Sequence, residues 1–183
     1  MLVSEQYNKI KKKLTPEVMS NLSGDERNDV ASMLSILEVE VKREVTQDSF
    51  LAFAKEVWPP FIQGRHHEKM AKAFERVAKG DLKRLMINMP PRMGKSQLTS
   101  WLLPAWIMGR SPDKKIIMAS HTAELALRFG RMVRNLIGSE EFKSLFPNVS
   151  LTADSKAAGR FDVSGGGEYF SVGVGGAVLT FLL

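Results

Sequence analysis

Apolar residues recur at helical spacing early in the chain: Val30, Met33, Leu34, Leu37, Val41 and Val45 fall three or four positions apart. Punctuation ahead of them agrees. Thr15-Pro16-Glu17 combines a capping hydroxyl, a first-turn proline and a first-turn acid, and Ser23-Gly24-Asp25-Glu26 reads as a capping box. Residues 1–45 are therefore predicted to form a helical appendage, whose apolar stripe must pack on the rest of the chain or on a partner. Thr46 is expected to cap the next helix, with Phe50, Leu51, Phe53, Ala54 and Val57 as its apolar face and Trp58-Pro59-Pro60 as its end. Residues 61–65 read as a loop. The 3.6-residue period returns over residues 66–79, where Met70, Ala73, Phe74 and Val77 face inward and Gly80 supplies a stop.

The pattern then changes. Leu85, Met86, Ile87 and Met89 form a short apolar run closed by Pro90-Pro91, which predicts a buried strand. Residues 97–108 continue as a helix, and residues 109–113 turn the chain. Ile116-Ile117-Met118-Ala119 marks a second strand within residues 115–120. Residues 122–136 carry Leu125, Leu127, Phe129, Met132, Val133 and Leu136 at helical spacing. Strand, helix, strand, helix in succession predicts an α/β fold: a parallel sheet covered by helices in a three-layer αβα core, with residues 85–89 as a central strand. Beyond residue 139 the character shifts. Pro147, residues 152–160 and Gly165-Gly166-Gly167 read as loops or turns, and residues 169–174 read as a strand. There are no internal repeats.

Composition narrows the class. The 183 residues suffice for one ordinary domain, with 44% hydrophobic and 25% charged residues. No apolar run approaches the ~20 residues that span a bilayer, and the N-terminus lacks a basic-then-apolar signal pattern, so secretion is not expected. Cysteine is absent, which excludes disulfides and thiolate metal sites. The net charge of +6 is unevenly placed. Residues 1–50 carry 7 basic and 9 acidic side chains, residues 51–110 carry 11 and 4, and residues 111–183 carry 8 and 7. A basic middle suits polyphosphate or nucleic acid, and equally a solvated helix face on which Lys69, Lys72, Arg76 and Lys79 are spaced.

That basic middle contains the candidate chemistry. Pro90-Pro91-Arg92-Met93-Gly94-Lys95-Ser96-Gln97 joins a predicted strand to a predicted helix. This is the layout of a phosphate-binding loop: amides at a helix start point at phosphate oxygens, where the helix dipole favours negative charge. Lys95 would place a compact positive charge at the β- and γ-phosphates, and the Ser96 hydroxyl would ligate Mg²⁺. The usual pattern opens with a glycine five positions before the second one, and here that position holds Met89.

The 90–96 segment resembles the phosphate loop of the large terminase subunit of tailed phages, the motor that packages viral DNA. His66-His67 opening a helix, Ala119-Ser120-His121-Thr122 followed by Leu125-Ala126, and Gly167-Glu168-Tyr169-Phe170-Ser171-Val172-Gly173-Val174-Gly175-Gly176-Ala177 resemble further parts of that family. The likeness covers roughly residues 48–178. It implies a P-loop NTPase of the RecA-like, additional-strand class, with ATP and Mg²⁺ as cofactors. It gives Arg92 and Lys95 catalytic roles, Arg92 at the γ-phosphate. Pro91, Arg92, Met93, Gly94, Lys95, Ser96 and Gln97 would bind nucleotide, Ser96 would serve the metal, and Gln63, His66 and His67 would lie on the adenine side. His121 is read as a strand-end structural residue. The whole family protein implies double-stranded DNA, the portal and the small terminase subunit as partners, oligomerisation only in the complete motor, and a phage-encoded protein in the host cytoplasm.

The sequence departs from the family after Gly175-Gly176-Ala177-Val178. The family continues into an apolar strand ending in two acids, whereas this chain reads Leu179-Thr180-Phe181-Leu182-Leu183. Residues 46–183 are therefore expected to be a partial ATPase domain without the acidic strand or the nuclease domain, leaving an unpaired edge beside residues 85–89. Hydrolysis by this chain alone is expected to be weak or absent. A helicase-like P-loop ATPase and a non-enzymatic protein that kept the fold for protein contact are the alternatives.

Overall fold

The computed structural model describes residues 3–157 and 159–174. Residues 175–183, which carry the departure from the family, lie outside the described residues.

Helices come first, and Thr15 and Ser23 cap two of them as the sequence predicts. Helix α1 (Val3–Lys13) is followed by α2 (Pro16–Asn21), whose Thr15 side chain accepts from the Val18 amide. Helix α3 (Gly24–Asp48) opens on a reciprocal capping box between Ser23 and Glu26. Helix α1 runs back along α3. Glu44 accepts from the Val3 and Ser4 amides at 3.3 and 2.9 Å, satisfying donors that a helix start leaves unpaired. Tyr7 donates to Glu38 further along.

Thr46 does not cap a helix. It lies inside α3, where its hydroxyl donates to the carbonyls of Lys42 and Arg43 at 2.7 and 3.0 Å. A mid-helix threonine bonded to its own preceding turn leaves the helix unbroken. The cap falls to Ser49, which accepts from Ala52 at the start of α4 (Phe50–Val57). The expected dividing point at residue 45 thus lies within one continuous helix.

Helix α5 (Arg65–Lys79) ends on Gly80, left-handed at φ 84°. Helix α6 (Leu103–Arg110) is preceded by one π-helical turn (Gln97–Leu102). Strand β1 (Lys115–Ser120), α7 (Ala123–Ile137) and α8 (Glu140–Leu145) follow, then strands β2 (Leu151–Lys156), β3 (Arg160–Val163) and β4 (Glu168–Gly173).

The core gathers one face from each helix. Phe50 of α4 meets Phe74 of α5 edge-on at 5.0 Å and Trp106 of α6 at 5.5 Å, and all three are fully buried. Trp106 Nε1–H donates to the Thr46 carbonyl at 2.9 Å, so the indole is satisfied within the core. Phe53, Phe142, Val133 and Ile137 join the same cluster, as do Phe161 and Tyr169 from the sheet.

The sheet is mixed. Its order is β1-β4-β3-β2; β1 and β4 are parallel, while β3 is antiparallel to both β4 and β2. The α/β class is as expected. The all-parallel sheet is not, because residues 152–160, read as a loop, contain most of β2 and the start of β3. Three glycines close the β3–β4 hairpin, where the Val163 amide donates to the Gly167 carbonyl at 2.9 Å. Gly167 admits no side chain: a Cβ there would lie 2.5 Å from the Pro112 carbonyl oxygen.

Residues 85–89 form no strand among the described residues. The run is extended, and its alternation survives: Ile87 and Met89 pack against the core, while Met86 is 85% exposed. What is missing is a ladder, since a strand exists only through a neighbour that takes its hydrogen bonds. Among the described residues only one face of the sheet is covered by helices. Ile116, Met118, Phe161 and Tyr169 face the packed helices, whereas Ile117 on the opposite face is 60% exposed. No helix among the described residues is long and apolar enough to cross a membrane.

Candidate functional site

Two prolines end the extended run, and the loop that follows departs from ordinary backbone at two points. Arg92 has φ 64° and Gly94 φ 77°, both left-handed. Glycine adopts that conformation freely, whereas arginine pays for it. The chain enters a helix at Lys95. The Leu98 amide donates to the Gly94 carbonyl at 3.0 Å, the first helical bond. The Thr99 hydroxyl donates to the Lys95 carbonyl at 2.8 Å. Earlier amides of such a start lack intrahelical acceptors, and that concentration of donors attracts anions. Residues 90–97 line a hollow of about 370 Å³, with Arg92, Lys95 and Ser96 all exposed. Among the described residues no Asp or Glu lines it.

A second hollow, of about 400 Å³, adjoins the first and shares Arg92, Met93, Gly94 and Gln97 with it. Its other wall comes from the segment between α4 and α5 and from the start of α5: Trp58, Pro60, Phe61, Ile62, His66 and His67. Trp58 and Phe61 stack at 5.5 Å between ring centres, with an interplanar angle of 24°. Flat apolar rings beside a phosphate-sized cradle suit a nucleobase. Gln97 Oε1 is buried without a hydrogen-bond partner among the described residues.

The histidines form one connected group. The Gly64 amide donates to His67 Nδ1 at 3.0 Å, His67 Nε2 lies 2.8 Å from His66 Nε2, and it lies 3.2 Å from the Met93 carbonyl oxygen. His67 is buried. Burial holds its pKa below the ordinary 6.5, the Met93 carbonyl opposes this, and the neighbouring His66 adds to the lowering.

The structure therefore brings together Pro91, Arg92, Met93, Gly94, Lys95, Ser96, Gln97, His66 and His67 across two joined hollows. Gln63 stands apart: its amide donates to Glu68 at 2.7 Å, and it lines neither hollow. Ser96 offers a single oxygen to a metal, so most of an octahedral Mg²⁺ shell would have to come from phosphate oxygens and water. Two features escaped the sequence. The stacking of Trp58 on Phe61 is one: Trp58 read only as a helix end, and Phe61 only as the start of the 61–67 segment that the resemblance puts on the adenine side, although an aromatic pair flanking Pro59-Pro60 is a usable signal. The link from His67 to the loop joins residues 26 apart and leaves no local trace. Comparison with protein families, with curated proteins and with solved structures finds no match to this chain.

Proposed function

We propose that this chain binds ATP with Mg²⁺ through residues 90–97, as the nucleotide-binding part of a viral DNA-packaging terminase large subunit acting in the host cytoplasm. One observation carries the binding half of this reading. Gly94-Lys95-Ser96 opens a helix on a hollow free of carboxylates, and that hollow joins an aromatic one of nucleobase character. Triphosphate would lie along the loop amides with Lys95 at its β- and γ-oxygens, Ser96 would contribute to the Mg²⁺ shell, and the base would rest beside Trp58 and Phe61. The terminase assignment rests on the motif resemblance alone.

The chemistry assigned to each residue is electrostatic. Phosphoryl transfer is assisted mainly by positioned positive charge, which Arg92 and Lys95 would supply. Hydrolysis is also helped by a carboxylate that orders metal and activates water, and among the described residues neither hollow is lined by one. Binding without appreciable turnover is the expected behaviour. Isothermal titration with Mg·ATP tests this: the parent chain should bind and Lys95→Ala should not. Equal binding by both proteins, or by neither, removes the phosphate-loop reading.

A further inference from the structure

The hydrogen bonds around the two histidines fix where their protons are. His67 Nδ1 accepts from the Gly64 amide at 3.0 Å, so it carries a lone pair, and the proton of the neutral ring is on Nε2. That proton faces two groups, the Met93 carbonyl oxygen at 3.2 Å and His66 Nε2 at 2.8 Å. Two N–H groups cannot face each other across such a distance. His66 Nε2 is therefore the bare nitrogen, and its ring is protonated on Nδ1. The pair is locked as two neutral imidazoles of opposite tautomer.

This arrangement reaches into the phosphate loop. The Met93 carbonyl and the Gly94 N–H belong to one trans peptide plane and point in opposite directions. A donor that draws the carbonyl toward α5 turns the amide away from α5. The Gly94 amide has no acceptor among the described residues. Gly94 itself leaves no room for variation: its φ is 77°, and a Cβ there would lie 3.2 Å from His67 Nε2.

We propose that His67 is a positioning residue for the phosphate loop: its Nε2–H holds the Met93 carbonyl so that the Gly94 amide faces the hollow of residues 90–97 as an anion donor. His66 fixes the tautomer by accepting from the same nitrogen. The inference deepens the ATP-binding reading and rests on it for the identity of the anion. The two nitrogens of His67 do separate work, Nδ1 closing the start of α5 and Nε2 holding the loop. Among the residues that share a hollow with either ring the charged ones are basic, and Glu68, next along α5, is engaged by the Gln63 amide at 2.7 Å. Arg92 lines the same hollow, Lys69 lines a hollow with His66, and residues 58–62 bring no charged side chain. Protonation of His67 on Nδ1 would break its bond from the Gly64 amide, and burial of the ring opposes it.

The test separates the two nitrogens. His67→Gln keeps an N–H donor near the Nε2 position and loses the Nδ1 acceptor; His67→Asn keeps an acceptor near Nδ1 and loses the donor. Nitrogen NMR of the full chain should show His67 protonated on Nε2 and His66 on Nδ1. Both variants lose the ring beside Gly94, so the Gly94 amide resonance should move in both and move further in His67→Asn, which also loses the donor to Met93. Titration with inorganic pyrophosphate and with Mg·ATP should give affinity within about three-fold of the parent for His67→Gln and a loss of about ten-fold for His67→Asn, the scale of one hydrogen bond. Parent-like binding by His67→Asn, or a His67 protonated on Nδ1, overturns the proposal and leaves His67 as a helix cap. If the parent binds pyrophosphate but not Mg·ATP, the ATP reading fails and the proposal is decided by pyrophosphate alone; if the parent binds neither anion, both fail.

Discussion

Single residues at the loop are held in states they would not choose alone. Arg92 sits at φ 64°, where a side chain costs about 1 kcal/mol and glycine almost nothing. Such strain persists only where surrounding structure dictates it, and it concentrates at working sites. Relief of that strain is partly offset by the freer unfolded chain that a glycine brings, so Arg92→Gly should leave the urea-unfolding free energy unchanged or raise it by up to about 0.5 kcal/mol. A loss of stability would mean that the guanidinium makes contacts worth more than the strain. His67 gives a second expectation, about pH. Its lowered pKa means that the unfolded chain takes up the proton first as pH falls. The stability contributed by the neutral ring is complete above the ordinary 6.5 and is lost as pH drops from there toward the folded value. Urea midpoints measured from pH 7.5 to 5 should fall for the parent and fall less for His67→Gln.

At the scale of elements, legibility followed from whether a segment carries its own determinants. Thr15, Ser23 and Thr122 each cap a helix, as their hydroxyl chemistry and position predict. Gly94-Lys95-Ser96 was readable because turn, charge and helix start are all local. Strand β2 was not, because Ala153, Asp154, Ser155 and Lys156 have little tendency to be extended, and the segment is a strand through its partner β3. Residues 85–89 show the converse, a good strand sequence with no ladder partner among the described residues. The π-helical turn at Gln97–Leu102 left no mark on the apolar period, yet it sets the phase of the loop relative to α6. One residue of α-helix advances about 100°. Deleting Ser100 should regularise the helix and swing Gly94-Lys95-Ser96 by roughly that angle. Circular dichroism should stay near the parent while Mg·ATP titration shows no binding; retained binding would mean that the turn is incidental.

The whole molecule is asymmetric in what it exposes. Strand β1 ends the sheet order, with its outer edge unpaired among the described residues and Ile117 60% exposed beside it. An apolar edge is a template for another strand. The parent chain should associate with rising concentration in light scattering, and Ile117→Lys should suppress this without lowering the urea midpoint. Association unchanged by the substitution would place the contact elsewhere, with Met33 and Ile36 of α3 as the next exposed apolar pair. Among the described residues helix α3 is fastened to the core near its C-terminal end, with α1 alongside it. Arg43 and Gln47 donate to the Ser144 and Leu145 carbonyls at 2.6 and 2.9 Å, and Trp106 of α6 donates to Thr46. Twenty-five residues span about 37 Å, and some three-quarters of that length projects beyond these bonds. Mechanically it is a cantilever clamped to the helix that continues from the phosphate loop. A tilt of about 5° at the clamp carries the free tip through roughly 2.5 Å, so a rearrangement too small to alter the core would be written large at Ser23.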